Sequence, residues 1–137
     1  MLTTDTLSPD DRERLIAASI TARQGAYAPY SRFLVGAALL TDDGQVINGA
    51  NVENASYGLT ICAERVAVQK AVATGLRGFR AIAIATSGGG SPCGACRQVL
   101  AEFCDDLLIL LVDVDRDNAV AEARLAALLP NSFRLRD

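Results

Sequence analysis

The sequence contains no histidine and no tryptophan. The missing histidine excludes the most chemistry. Cys–His and Ser–His nucleophile schemes need an imidazole base, so neither can operate here. Any metal site must draw on thiolates and carboxylates. Aromatic residues make up 5% of the chain, too few for the stacking platform that single-stranded nucleic acid uses. Lysine and arginine form no run, and the formal net charge is −3. Without a positive stripe for a phosphate backbone, nucleic acid is not an expected partner. No apolar run approaches the ~20 residues that span a bilayer. The opening Met1-Leu2-Thr3-Thr4-Asp5 lacks the basic and apolar regions of a signal peptide. Together these absences predict a soluble cytoplasmic protein with no membrane partner.

What is present is a chain of 137 residues, half of them hydrophobic. That predicts one domain over residues 1–137, with a sizeable core and a radius of gyration of about 14 Å. The chain has four cysteines, which in a reducing compartment point to metal or catalysis rather than disulfides.

Ser8-Pro9-Asp10-Asp11 reads as a helix start: a capping serine, proline at the first helical position, and acids at the positive end. The helix is expected to reach about Gln24. Phe33 to Leu40 and Gln45 to Asn51 read as strands joined by the Asp42-Asp43-Gly44 turn. A polar passage, residues 52–59, leads to a helix from Cys62 to Thr74, apolar on several sides. Phe79 to Ala85 is a strand, and Gly88-Gly89-Gly90 a connection to a helix from Pro92 to Cys104. Leu107 to Val112 reads as a buried strand, residues 115–118 as a turn, and Ala119 to Ala123 as an edge strand. Arg124 to Leu129 is a short helix stopped by Pro130. This order implies a mixed sheet with helices on both faces.

Two short pieces carry the chemistry. Cys93 and Cys96 lie three apart on one helical face, and Cys62 opens another helix, so three sulfurs can reach one ion. Three protein ligands with one open position is the arrangement of catalytic zinc. A dication held by three thiolates carries net negative charge, which weakens its acidity. Arg65, one turn after Cys62, is placed to compensate, with Arg97 a second candidate, and both helix starts add partial positive charge. Glu64 leaves the same turn as Cys62 on a different side. It need not coordinate, and it can move protons beside a metal-activated water. The pattern Cys-x-Glu followed by Pro-Cys-x-x-Cys is the known signature of zinc deaminases.

Nearly the whole chain resembles the small zinc cytidine deaminases, in particular the homotetrameric type with all-cysteine ligands. The resemblance rests on Tyr27-Ala28-Pro29-Tyr30-Ser31-Arg32-Phe33, Val35-Gly36-Ala37-Ala38-Leu39, Asn51-Val52-Glu53-Asn54, Cys62-Ala63-Glu64-Arg65, Pro92-Cys93-Gly94-Ala95-Cys96-Arg97-Gln98 and Leu128-Leu129-Pro130. It implies a three-layer α-β-α fold around a mixed five-stranded sheet, one zinc ion per chain on Cys62, Cys93 and Cys96, and a homotetramer with shared active sites. It implies hydrolysis of cytidine and 2′-deoxycytidine in pyrimidine salvage, with attack at C4 and Glu64 protonating N3 and the departing amine. By the same resemblance Asn51 and Glu53 bind the ribose, Phe33 packs near the nucleoside, and the backbone around Ala63 meets the base. Phe133 is implied to reach a neighbouring subunit's pocket.

Other readings stand beside this one. Cys93 and Cys96 alone suit a redox pair or half of a structural zinc site. Cys104 is the fourth ligand that a structural site would need, but on a straight helix it lies about 12 Å from Cys96 and reads better as a buried thiol. A non-enzymatic zinc module would be indifferent to Glu64. A deaminase for a nucleoside antibiotic or modified cytosine would not need Asn51 with Glu53. Tyr57 either lines the pocket or simply packs.

Overall fold

The computed structural model describes residues 7–135; Met1 to Asp5, read above for a leader, lie outside the described residues. Helix α1 (Pro9–Arg23) starts where its signals place it, with the Ser8 hydroxyl accepting from the Asp11 N–H at 3.1 Å. Strands β1 (Gly36–Thr41) and β2 (Val46–Ala50) follow, then helix α2 (Ala63–Ala73) and strand β3 (Phe79–Thr86). Helix α3 (Gly94–Phe103), strands β4 (Leu108–Asp113) and β5 (Ala119–Arg124), and the single turn α4 (Leu125–Leu128) complete the order. Among the described residues, no helix is long and apolar enough to cross a membrane.

The five strands form one mixed sheet in the order β2-β1-β3-β4-β5. Only β3 and β4 run parallel, joined through α3; the other neighbours are antiparallel. Side chains alternate across the sheet with the strand period of two. Ala37, Leu39, Ile82, Ile84 and Ile109 face a core shared with α2, α3 and α4. Ala38, Leu40, Ala81, Ala83, Leu108 and Leu110 face the core under α1. Both faces are covered, which gives the expected three layers and explains why the central strands read as continuous apolar runs.

β1 begins three residues later than the apolar pattern suggests. The Asn51 side chain takes up the Phe33 carbonyl and the Val35 N–H, so the backbone of residues 33–35 meets that of the neighbouring segment only through the Val35 carbonyl, which accepts from the Asn51 N–H at 3.3 Å. The passage before Cys62 contains a 3₁₀ turn, Tyr57–Leu59, that polar composition alone did not signal. In α2 the fully buried positions Ala63, Ala67 and Ala71 repeat every four residues, while Val66 and Val72 are only half-buried in a single chain.

Gly49 sets how closely α2 approaches the sheet. A Cβ there would lie 2.5 Å from the Ala63 carbonyl oxygen and 2.6 Å from the Ala67 nitrogen, both backbone atoms that cannot swing aside. Gly49→Ala therefore has to push α2 outward by about 1 Å, carrying Cys62 and Glu64 with it. Overpacking of this kind costs about 1–3 kcal/mol, so thermal unfolding is expected to drop by roughly 5–10 °C. Turnover should fall further than the lost stability accounts for, because displacements of this size disturb a reacting geometry. An unchanged melting curve would show that the approach is not tight.

Candidate active site

Cys62 is the N-cap of α2 and Cys93 the N-cap of α3, both with extended backbone and neither side chain capping a backbone N–H of its own helix. The usual capping residues turn an oxygen back onto the first N–H groups; these two leave their sulfurs free for another partner. Cys96 lies one turn into α3, buried, with its sulfur 3.5 Å from that of Cys93. The three sulfurs lie within 4.8 Å of one another. Zinc–sulfur bonds of 2.3 Å around a tetrahedron place sulfurs about 3.8 Å apart, so the donor set fits the ion in type and in spacing. Arg65 gives a second sign of fit. Its Nη2 donates to the Cys62 sulfur at 3.4 Å, and its Nε is buried without a hydrogen-bond partner among the described residues. A set of charged thiolates supplies the acceptors that such a buried cation lacks.

Charge and hydrogen bonding organise the cluster. A hydrogen bond from Cys96, together with the Arg65 guanidinium, pulls the Cys62 thiol down to about 5. The same bond to Cys62, with burial, pushes Cys96 well above the ordinary thiol range. Glu64 is 5% exposed, and burial, reinforced by the Cys62 charge, raises its carboxyl above the usual value. A carboxyl held in that way suits proton transfer better than it suits an ion pair.

These groups open onto a cleft of about 530 Å³, within the usual size for a small-molecule site. Phe33, Asn51, Glu53, Cys62, Glu64 and Cys93 all line it, as does Tyr57. Its floor is Ile84 and Thr86, two residues apart at the carboxyl end of β3, where open α/β sheets gather ligands. The two sit on one strand face, but the sequence reading takes Ile84 only as strand and ends that strand at Ala85, one residue short of Thr86. Ser31, Thr60 and Ser91 also line the cleft and were missed individually. Ala63 is fully buried and is not among the residues that line the cleft. Phe133 stands apart, 68% exposed, with its carbonyl accepting from the Gln98 amide at 3.1 Å.

Asn51 and Glu53 do more than face the cleft. The Asn51 amide bonds the Val35 N–H and the Phe33 carbonyl, each at 2.9 Å. Glu53 accepts from the Tyr30 and Ser31 N–H groups at 2.9 and 3.1 Å, from the Ser31 hydroxyl, and from the Tyr57 hydroxyl at 3.3 Å. The pair therefore staples the turn that carries Phe33. The Ser31 hydroxyl bond, backed by both N–H groups, lowers the Glu53 pKa. A carboxyl shifted in that direction stabilises the fold above its unfolded pKa and loses the contribution only as pH falls through the lowered value. The staple thus holds through neutral pH.

Cys104 is remote from the cluster: its sulfur lies 3.9 Å from the Phe79 carbonyl, and burial pushes its thiol up to about 12. It is an inert core thiol rather than a fourth ligand.

The profile of the family described as the cytidine and deoxycytidylate deaminase zinc-binding region matches residues 9–112. The chain is 50% identical over 130 residues to a cytidine deaminase of Sporosarcina psychrophila, covering 93% of this chain and 94% of the relative. It is 53% identical over 130 residues to one of Halalkalibacterium halodurans, covering 93% and 97%. A crystal structure of cytidine deaminase from Burkholderia pseudomallei superposes with a TM-score of 0.83 at 48% identity, covering 88% of this chain and 98% of that one.

Proposed function

The chain belongs to the cytidine and deoxycytidylate deaminase family, and from that premise we propose how its residues act. It is an enzyme that hydrolyses cytidine and 2′-deoxycytidine to uridine and 2′-deoxyuridine with release of ammonia, as a single deaminase domain over residues 1–137. The observation that carries this is a buried carboxylate, Glu64, opening into the same cleft as a three-thiolate cluster.

Zinc is the cofactor, held by Cys62, Cys93 and Cys96, and when bound it supplies a Lewis acid that makes water nucleophilic near neutral pH. Arg65 offsets the excess negative charge of the thiolates through its contact with Cys62. Glu64 accepts the proton of the attacking water and passes it to ring N3, then takes the proton of the new C4 hydroxyl and passes it to the amine, which leaves as ammonia while C4 becomes a carbonyl. At the other end of the cleft, Asn51 retains one amide N–H and one lone pair for a sugar hydroxyl. Glu53 exchanges its longest bond, from Tyr57 at 3.3 Å, for a second sugar contact. Phe33 covers the nucleoside, and the backbone beside Ala63 meets the base.

Among the described residues, the cleft lining contains two carboxylates and no lysine or arginine, which favours a nucleoside over a nucleotide. A phosphate there would be desolvated without a cation and would face like charge, an arrangement that costs several kcal/mol. With zinc-loaded protein, ultraviolet loss of cytidine is expected, and kcat/KM for cytidine 5′-monophosphate should be lower by about 100-fold or more. Inert protein carrying one zinc per chain defeats the enzyme reading. Equal use of the monophosphate defeats only the preference for nucleosides.

The assembly is a homotetramer, in which Phe133 completes a neighbour's cleft. Supporting this are the exposure of Phe133, Leu59 and Val52 and the half-buried Val66, apolar groups that a single chain leaves open to water. A monomer with full activity in sizing chromatography would contradict it. Its setting is cytoplasmic, in pyrimidine salvage.

A further inference from the structure

Of the three thiols in the cluster, Cys93 has the least support. Cys96 is buried inside α3, and Cys62 is half-buried and bonded to Arg65, whereas Cys93 is exposed at the end of an irregular segment. That segment, residues 87–93, includes Gly88 and Gly89 at φ 97° and 64°, so its backbone is intrinsically permissive. Its first half is pinned by the Ser87 hydroxyl donating to Asp115 and by two N–H bonds, from Gly90 to the Thr86 hydroxyl and from Gly88 to Asp113, both 3.0 Å. Its second half ends at Cys93, whose carbonyl accepts from the Arg97 N–H at 3.0 Å and whose sulfur meets that of Cys96; Ser91 and Pro92 before it are held by one side chain. Arg97 reaches back over the start of α3, with Nε donating to the Pro92 carbonyl at 2.8 Å and Nη2 to the Ser91 hydroxyl at 3.1 Å. Its Nη1 donates at 2.9 Å to the carbonyl of Leu128, the last residue of α4.

We propose that Arg97 is a positioning residue for the metal site: it fixes Cys93 by clamping Ser91 and Pro92 against α4. Each of its three nitrogens is directed to an oxygen, so its function differs from the charge compensation that its place beside Cys96 suggested. The planar fork is what matters. One guanidinium spans three acceptors on two elements, which a lysine ammonium, a point donor on a flexible stem, cannot do. Ser91 and Cys93 both line the cleft, so the clamp also fixes that wall.

The inference rests on the three-thiolate zinc reading, and its test does not use turnover. Zinc-loaded wild type, Arg97→Lys and Arg97→Met are compared by chelator competition and by the rate at which dithiobis(nitrobenzoate) labels each thiol, mapped by mass spectrometry. Removing support from a ligand weakens metal binding by about 10- to 100-fold. Both variants are expected to show that loss, with Cys93 labelled about tenfold faster while Cys104 stays unreactive. Recovery of wild-type behaviour in Arg97→Lys would overturn the clamp in favour of simple charge. Wild-type labelling and affinity in both variants would overturn it outright. Should neither variant fold, Ser91→Ala removes one acceptor alone: about threefold faster Cys93 labelling supports the clamp, and an unchanged rate overturns it. A wild type that binds no zinc defeats the zinc reading instead, so the two failures are distinguishable.

Discussion

Glu64→Gln is expected to abolish nearly all turnover of cytidine while leaving zinc content and fold intact. The substitution is isosteric, and the amide cannot accept and release the proton that the carboxylate moves. General acid–base transfer contributes about 10²- to 10⁴-fold to a rate. The upper part of that range applies here, because one carboxyl serves the incoming water, ring N3 and the departing amine in succession. With no histidine anywhere in the chain, no imidazole can take over. Stability should stay close to wild type, since Glu64 is 5% exposed with its carboxyl raised chiefly by burial, and a neutral side chain of the same shape avoids that burden. KM should move little, because sugar recognition is assigned to Asn51 and Glu53 at the far end of the cleft. The measurement is kcat by ultraviolet absorbance, beside zinc per chain and a melting curve. A kcat within tenfold of wild type, at full zinc occupancy, would remove Glu64 from the proton pathway.

The parts of this site that were legible in the sequence are those fixed by short spacing. Cys93 and Cys96 share a helical face because they are three residues apart, and Cys62 and Glu64 belong to one turn. The strands were legible because β1, β3 and β4 are buried on both faces, so hydrophobicity marks them without help from alternation. The parts that were not legible depend on side chains bonding backbone many residues away. Nothing local in Phe33-Leu34-Val35 shows that Asn51 will take its carbonyl and N–H, so the strand was started too early. Glu53 was read as a sugar ligand, while its fourfold bonding to Tyr30, Ser31 and Tyr57 makes it a staple as well. Arg97 was read as a second candidate for compensating the thiolates, yet its partners Leu128 and Ser91 lie 31 and 6 residues away. Sequence spacing located the reacting groups; the bonds that hold their surroundings in place are tertiary and left no local pattern.

Cys62→Ala is expected to release the zinc, whereas Cys104→Ser keeps it. Cys62 is the only one of the three sulfurs carried by α2, so its loss leaves two thiols on α3, too few to hold the ion against competition. The variant also strips Arg65 of the sulfur that its Nη2 contacts, leaving a half-buried cation with less compensation. Zinc per chain after dialysis should fall from about one to near zero. Melting should report the same loss in a second way. A ligand present at 1,000 times its dissociation constant stabilises by about 4 kcal/mol, so a chelator should lower the wild-type melting temperature by roughly 10 °C. Cys62→Ala should already melt at that lower temperature and ignore the chelator. Cys104→Ser removes a core thiol far from the cluster and leaves a hydroxyl against the Phe79 carbonyl. It should lose no more than about 1–2 kcal/mol of stability and respond to chelator as wild type does. Zinc lost from Cys104→Ser as well as from Cys62→Ala would mean a structural site closed by a fourth thiolate. Such a site has no open position for water, and the proton path through Glu64 would then have nothing to act on.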